Sequence, residues 1–182
     1  MKILIINGAP RSGKSLFCEL CRDQLNGWGC EYSTVDFVKE IAAKCGWNGE
    51  KTPKNRKFLS DLKDLLTEWD DVPFETVKFY IRNTFLAHEN LGVDTDKLVF
   101  FIHCREPQEI QKFVDRMGAK ALIVRRLEAE EQKQSNHADS NVFNYDYDYV
   151  ICNNGTKEDL FDESKRFLEK IKTENWNSYL EK

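Results

Sequence analysis

The chain opens on a continuously apolar, β-branched run, Ile3-Leu-Ile-Ile6, ending at Asn7. So short a run predicts a strand buried on both faces, as in parallel sheets. After Gly8–Ser15 the period changes. Leu16, Phe17, Leu20 and Leu25 recur at helical spacing up to Asn26-Gly27, a C-cap signal. Glu31–Val35 reads as a second strand, and Asp36 as the cap of a helix over Phe37–Lys44. Phe58, Leu59, Leu62, Leu65 and Leu66 form an amphipathic stripe over Lys54–Leu66, and Pro73 starts a helix reaching Asn90. Strands follow at Leu98–Ile102, at Ala121–Val124 and within Tyr145–Cys152. Helices follow at Pro107–Met117 and, after a loop at Asn153-Asn-Gly-Thr156, up to about Lys172. Between Leu127 and Asn144 no apolar period is clear, so a polar loop or short helix is expected. Trp176, Tyr179 and Leu180 at i, i+3, i+4 predict a tail docked on the body.

Strands alternating with helices specify an α/β domain around a parallel sheet with right-handed crossovers. At 182 residues one domain is expected. The helical stretch from Asp36 to Asn90 interrupts the alternation and reads as a lobe over one sheet edge. There are 27 basic and 31 acidic residues, a net charge of -4. Nucleic-acid binders need a basic excess, so that partner is not expected. No run approaches the ~18 apolar residues of a membrane span, and Ile3–Ile6 is too short for a signal peptide core. A cytoplasmic location is expected, with the six scattered cysteines as free thiols. Cys18 and Cys21 make one C-x-x-C without a second pair, which speaks against structural zinc there.

Gly8-Ala-Pro-Arg-Ser-Gly13-Lys14-Ser15 matches G-x-x-x-x-G-K-[ST] at every fixed position, between a buried strand and an amphipathic helix. Glycines at 8 and 13 let the backbone, through Arg11 and Ser12, curl its N–H groups around an anion. The helix start adds partial positive charge. Lys14 can reach the β- and γ-phosphates of a nucleoside triphosphate, and the Ser15 hydroxyl can ligate Mg²⁺. No N-K-x-D segment for guanine is present.

Phosphoryl transfer further needs an acceptor site and positive charge at the transferring group. Lys39, Lys51, Lys54, Arg56 and Lys57 gather in the helical stretch, and Arg56 can grip a phosphate bidentately. Each is also readable as a solvated face. Arg105 and Glu106 follow one strand, Arg125 and Arg126 end another, at the carboxyl ends where parallel sheets bind ligands. His103 at the same strand end reads more readily as a structural hydrogen-bonder. The Asn153–Gly155 loop suits an adenine edge, and equally a turn before a helix capped by Thr156.

These segments resemble the nucleoside monophosphate kinase superfamily of P-loop proteins. The resemblance is nearest to phage-type and bacterial deoxynucleoside monophosphate kinase-like proteins. It rests on the P-loop, Asp36–Ala42, Gly46–Thr52, Arg56–Lys63, Arg105–Pro107, Tyr147–Ile151 and Asn153–Gly155, and spans Met1 to Ile171. It implies a three-layer αβα P-loop NTPase fold: a core at 1–35 and 95–173, a helical acceptor lobe at 36–92 and a lid at 126–144. It implies ATP and Mg²⁺, with a small phosphorylated acceptor, a nucleoside monophosphate. By position, Gly8, Gly13, Lys14 and Ser15 hold the donor phosphates. Asp36, Lys39, Arg56 and Arg105 face the acceptor, and Arg125 or Arg126 belongs to the lid. One departure stands out: the strand that often ends in an Mg²⁺-holding Asp here ends in His103-Cys104-Arg105-Glu106. Glu106 or Asp36 would have to substitute. Kinases of dephospho-coenzyme A or phosphomevalonate type, and a non-catalytic nucleotide-binding regulator, stay open alternatives. So does monomer against homodimer.

Overall fold

The computed structural model describes residues 1–131, 141–176 and 178–179. The strands are β1 (Lys2–Asn7), β2 (Gly29–Ser33), β3 (Val99–His103), β4 (Lys120–Arg125) and β5 (Tyr149–Cys152). The helices are α1 (Lys14–Gln24), α2 (Asp36–Lys44), α3 (Pro53–Asp70), α4 (Val72–Asn90), α5 (Pro107–Met117), α6 (Leu127–Glu130) and α7 (Lys157–Thr173). All strand pairs are parallel, in the order β2-β3-β1-β4-β5. The connections therefore reverse direction at β1. That reversal opens a crevice at the carboxyl end of β1, where ligands of doubly wound sheets sit.

Period-two alternation divides the apolar strands between two faces. Leu4, Ile6, Phe101, Leu122 and Val124 pack against Phe17 and Cys18 of α1 and Phe167 and Leu168 of α7. Ile3, Ile5, Phe100, Ile102 and Ala121 pack against Phe74, Val77 and Ile81 of α4 and Ile110 and Phe113 of α5. The result is the three-layer αβα arrangement. Each fully buried aliphatic or aromatic side chain contributes about 1.5–3 kcal/mol, so β1 is firmly held.

Three boundaries differ from the sequence expectation. β2 ends at Ser33, because the Asp36 carboxylate accepts the Ser33 N–H at 2.9 Å and turns the chain. Asp36 is thus the first helical residue and not the cap, which falls at Val35 without a side-chain bond. β5 begins only at Tyr149, because Tyr145 and Tyr147 fold onto the α4/α5 face. α3 buries no residue completely, since it packs chiefly on α2 and α4; Leu65 of its stripe and the nearby Trp69 face solvent.

The tail docks as expected for its described residues. Trp176 stacks on Tyr149, and the Tyr179 hydroxyl donates to the Asp115 carbonyl at 2.6 Å. Leu180 lies outside the described residues, as does positions 132–140 of the expected lid. Among the described residues no helix is long and apolar enough to cross a membrane.

Candidate functional site

The Gly8–Ser15 loop leaves β1 at the reversal point and enters α1. Its shape depends on residues without side chains. Gly8 has φ +145° and Gly13 φ +96°, a region closed to most L-residues. A Cβ at Gly8 would collide with the Val124 carbonyl oxygen, and one at Gly13 with the Asn153 amide nitrogen. Arg11 holds φ +66° without being glycine, local strain of a kind found at ligand-binding loops. Gly13 caps α1 with no side-chain bond, so the helix start keeps its backbone donors facing the loop. The Ser12 hydroxyl is buried in the loop without a protein partner. The Lys14 ammonium folds back over the same loop, donating to the carbonyls of Gly8 (2.6 Å) and Ala9 (2.8 Å). Ser15 is exposed at the first turn.

Distant segments pin this loop in place. Buried Asn153 donates its side-chain amide to the Ser12 carbonyl at 2.9 Å, and its backbone N–H to the Arg125 carbonyl at 2.7 Å. One N–H of its amide therefore supports the loop. Buried Asn7 does the same from β1. Its Oδ1 accepts the Gly8 N–H, and its Nδ2 donates to the Arg105 carbonyl (3.1 Å) and the Tyr147 hydroxyl (2.7 Å). The Tyr147 hydroxyl donates to the Val142 carbonyl at 2.6 Å, and burial pushes its phenol pKa up. Asn7 and Tyr147 escaped the sequence reading. The available signal was a polar residue closing an otherwise apolar strand.

The strand ends carry charged groups in pairs. Arg105 is exposed beside β1, its carbonyl held by Asn7; Glu106 precedes α5, half-buried. His103 bonds Glu31 at 2.7 Å, and Arg22 takes the other Glu31 oxygen at 2.7 Å. The hydrogen bond from His103 is the main reason the Glu31 carboxyl lies below its ordinary pKa. Behind this end, Lys63 of α3 pairs with Glu109 of α5 at 2.6 Å, both only 13–14% exposed. Glu109 also accepts the buried Cys104 thiol, whose pKa burial raises.

Arg125 makes a bidentate pair with Glu130 (2.9 and 2.7 Å), and Arg126 pairs with Glu128 at 2.9 Å. Arg125 ends β4, and Arg126 opens the stretch where a lid was expected. Asp36 and Lys39 bond each other at 2.9 Å, and Lys57 pairs with Asp61. Arg56 stands exposed in the first turn of α3. Gly155 makes room for the Asp159 carboxylate, and Thr156 and Asp159 form a capping box for α7. The turn reading of Asn153–Thr156 thus holds in full.

No protein-family model matches the chain, and no curated protein matches it. Solved structures do. Shikimate kinase from Aquifex aeolicus superposes with a TM-score of 0.53 at 12% identity, covering 95% of this chain and 99% of that one. A sugar kinase from Janibacter sp. gives 0.51 at 11% identity, covering 93% and 95%. A kinase described as putative, from Chloroflexus aurantiacus, gives 0.50 at 10%, covering 93% and 96%. The chain shares its fold with these kinases. At such identities the likeness is one of architecture, and activity must be argued from the site.

Proposed function

We propose that the chain is an ATP-dependent phosphotransferase acting on a small phosphorylated acceptor, a (deoxy)nucleoside monophosphate, in the cytoplasm. One observation carries the reading: the glycine-bent backbone loop at the carboxyl end of β1. Two glycines there occupy places where any Cβ would collide, and a lysine ammonium lies over the loop. The orphaned Ser12 hydroxyl and the uncapped start of α1 add donors suited to phosphate oxygens.

In this reading the loop amides of Gly8–Lys14 bind the donor's phosphates. Lys14 exchanges the Gly8 and Ala9 carbonyls for β- and γ-oxygens. Ser15 and Glu106 are the residues that would hold Mg²⁺, which when bound offsets phosphate charge. Arg105, Arg56 and Lys39 bind the acceptor phosphate, and Arg125 or Arg126, released from its glutamate, faces the transferring group. Catalysis is then positioning and charge neutralisation without a covalent intermediate. Residues 36–92, α2 to α4, form the acceptor lobe, and 126–144 the lid.

A second reading has an observation of its own. The structures matching at TM-scores of 0.53 and 0.51 are named for shikimate and sugar, acceptors that carry a free hydroxyl and no phosphate. Coupled ATP-consumption assays against nucleoside monophosphates, phosphorylated metabolites and polyhydroxy metabolites separate the two. The proposal expects turnover with a monophosphate, and a rise of about tenfold or more in acceptor KM for Arg56→Ala with kcat little changed. Turnover only with an unphosphorylated acceptor favours the second reading. Nucleotide binding without any product means a regulator and ends both.

A further inference from the structure

A cluster outside the phosphate loop offers ligands of a different chemistry. Cys18 of α1, Glu31 of β2 and His103 of β3 converge on the sheet face covered by α1. Each offers one donor atom, and the three atoms lie within 4.8 Å of one another. We propose that these residues form a binding site for a thiophilic divalent cation of the Zn²⁺ class.

The geometry fits such an ion closely. Bonds of about 2.0–2.3 Å to sulfur, nitrogen and oxygen put tetrahedral ligand atoms roughly 3.3–3.8 Å apart. The His103–Glu31 contact of 2.7 Å needs to open by roughly 0.6 Å, and the sulfur already lies within 4.8 Å of both other donor atoms. The donor set selects the metal. A thiolate beside an imidazole suits Zn²⁺ and disfavours Mg²⁺, which wants an oxygen shell. Thiolate plus carboxylate balances a double positive charge, and the Cys18 thiol proton leaves to solvent on binding.

The surroundings are those of a held site. Arg22 grips one Glu31 oxygen and leaves the other toward the histidine, as an outer partner that orients a ligand does. Cys18 is fully buried, whereas the Glu31 and His103 side chains are 25% and 20% exposed. The ion would meet protein on three sides and solvent on the fourth, the open arrangement with room for one water. The site joins α1, β2 and β3 just before the Cys104–Glu106 strand end, so occupancy would brace that end. It does not depend on the kinase reading.

The test uses the full chain with any polyhistidine tag removed. Titration with Co²⁺ should give a thiolate-to-cobalt charge-transfer band saturating at one equivalent, and Zn²⁺ should abolish it. Cys18→Ser should remove the band. Glu31→Gln and His103→Ala should each weaken Zn²⁺ affinity by at least about tenfold, with circular dichroism confirming the fold. Cys45→Ser and Cys152→Ser, at exposed thiols, should keep the band. The proposal is overturned by absence of the band or by its survival in Cys18→Ser. It is equally overturned by its loss in the exposed-thiol variants, or by wild-type Zn²⁺ affinity in folded Glu31→Gln. Glu31→Gln decides the matter if Cys18→Ser does not fold. A failure here leaves phosphoryl transfer and its assays untouched.

Discussion

The Gly8–Ser15 loop and the helical segment between β2 and β3 handle charge in opposite ways. In Gly8–Ser15 the backbone supplies the donors, and side chains elsewhere, Asn7 and Asn153, hold that backbone still. In α2 and α3 the charges are on side chains, and several are already matched: Lys39 with Asp36, Lys57 with Asp61, Lys63 with Glu109. A backbone site is fixed by φ, ψ and the absence of Cβ atoms, so its residue types are constrained and spaced. A side-chain site is fixed by partners far along the chain, and a cation's presence alone does not reveal whether it is spent on structure.

The largest test of this contrast is Lys14→Ala. It should lower phosphoryl transfer on the order of 10²–10³-fold while the thermal melt stays near wild type; steady-state kinetics beside calorimetry checks both. Lys63→Met should do the reverse. It leaves Glu109 uncompensated between helices and costs about 2–4 kcal/mol by urea unfolding, and adding Glu109→Leu should recover most of it. Gly13→Ala should cost about 1–3 kcal/mol, because the residue must hold φ +96° against Asn153, and it should lose nucleotide binding as well.

The smallest effect is a pH dependence at Arg125–Glu130. Hydrogen bonds from Arg125 hold the Glu130 carboxyl below its ordinary pKa. Its contribution is therefore complete above the usual value of about 4.3 and fades as pH falls through the lowered one. Melting temperature against pH should fall slightly less steeply in Glu130→Gln, the Arg125 end of the pair being about half exposed.

The α/β class, the parallel sheet and the glycine-bent Gly8–Ser15 turn between β1 and α1 were legible because each rests on local pattern: apolar runs, helical period and a spaced glycine motif. Most boundaries followed for the same reason. The sites of Asn7, Tyr147, Glu31 and Lys63 were not legible, since each acts through a partner between 70 and 140 positions away or, for Lys63, on another helix 46 positions on. The stripe on α3 misled for a related reason. Periodicity shows that a helix has an apolar side, whereas what covers that side depends on how α2 and α4 pack. Asp36 illustrates the limit at one residue: its type signals a helix start, but its carboxylate reaches back to Ser33.

Titration calorimetry of the intact chain with ATP in magnesium buffer tests the central claim most directly. The account predicts saturable heat with one nucleotide per chain, greatly weakened in Gly13→Ala. Absence of heat with ATP and with GTP, from folded protein, would contradict it.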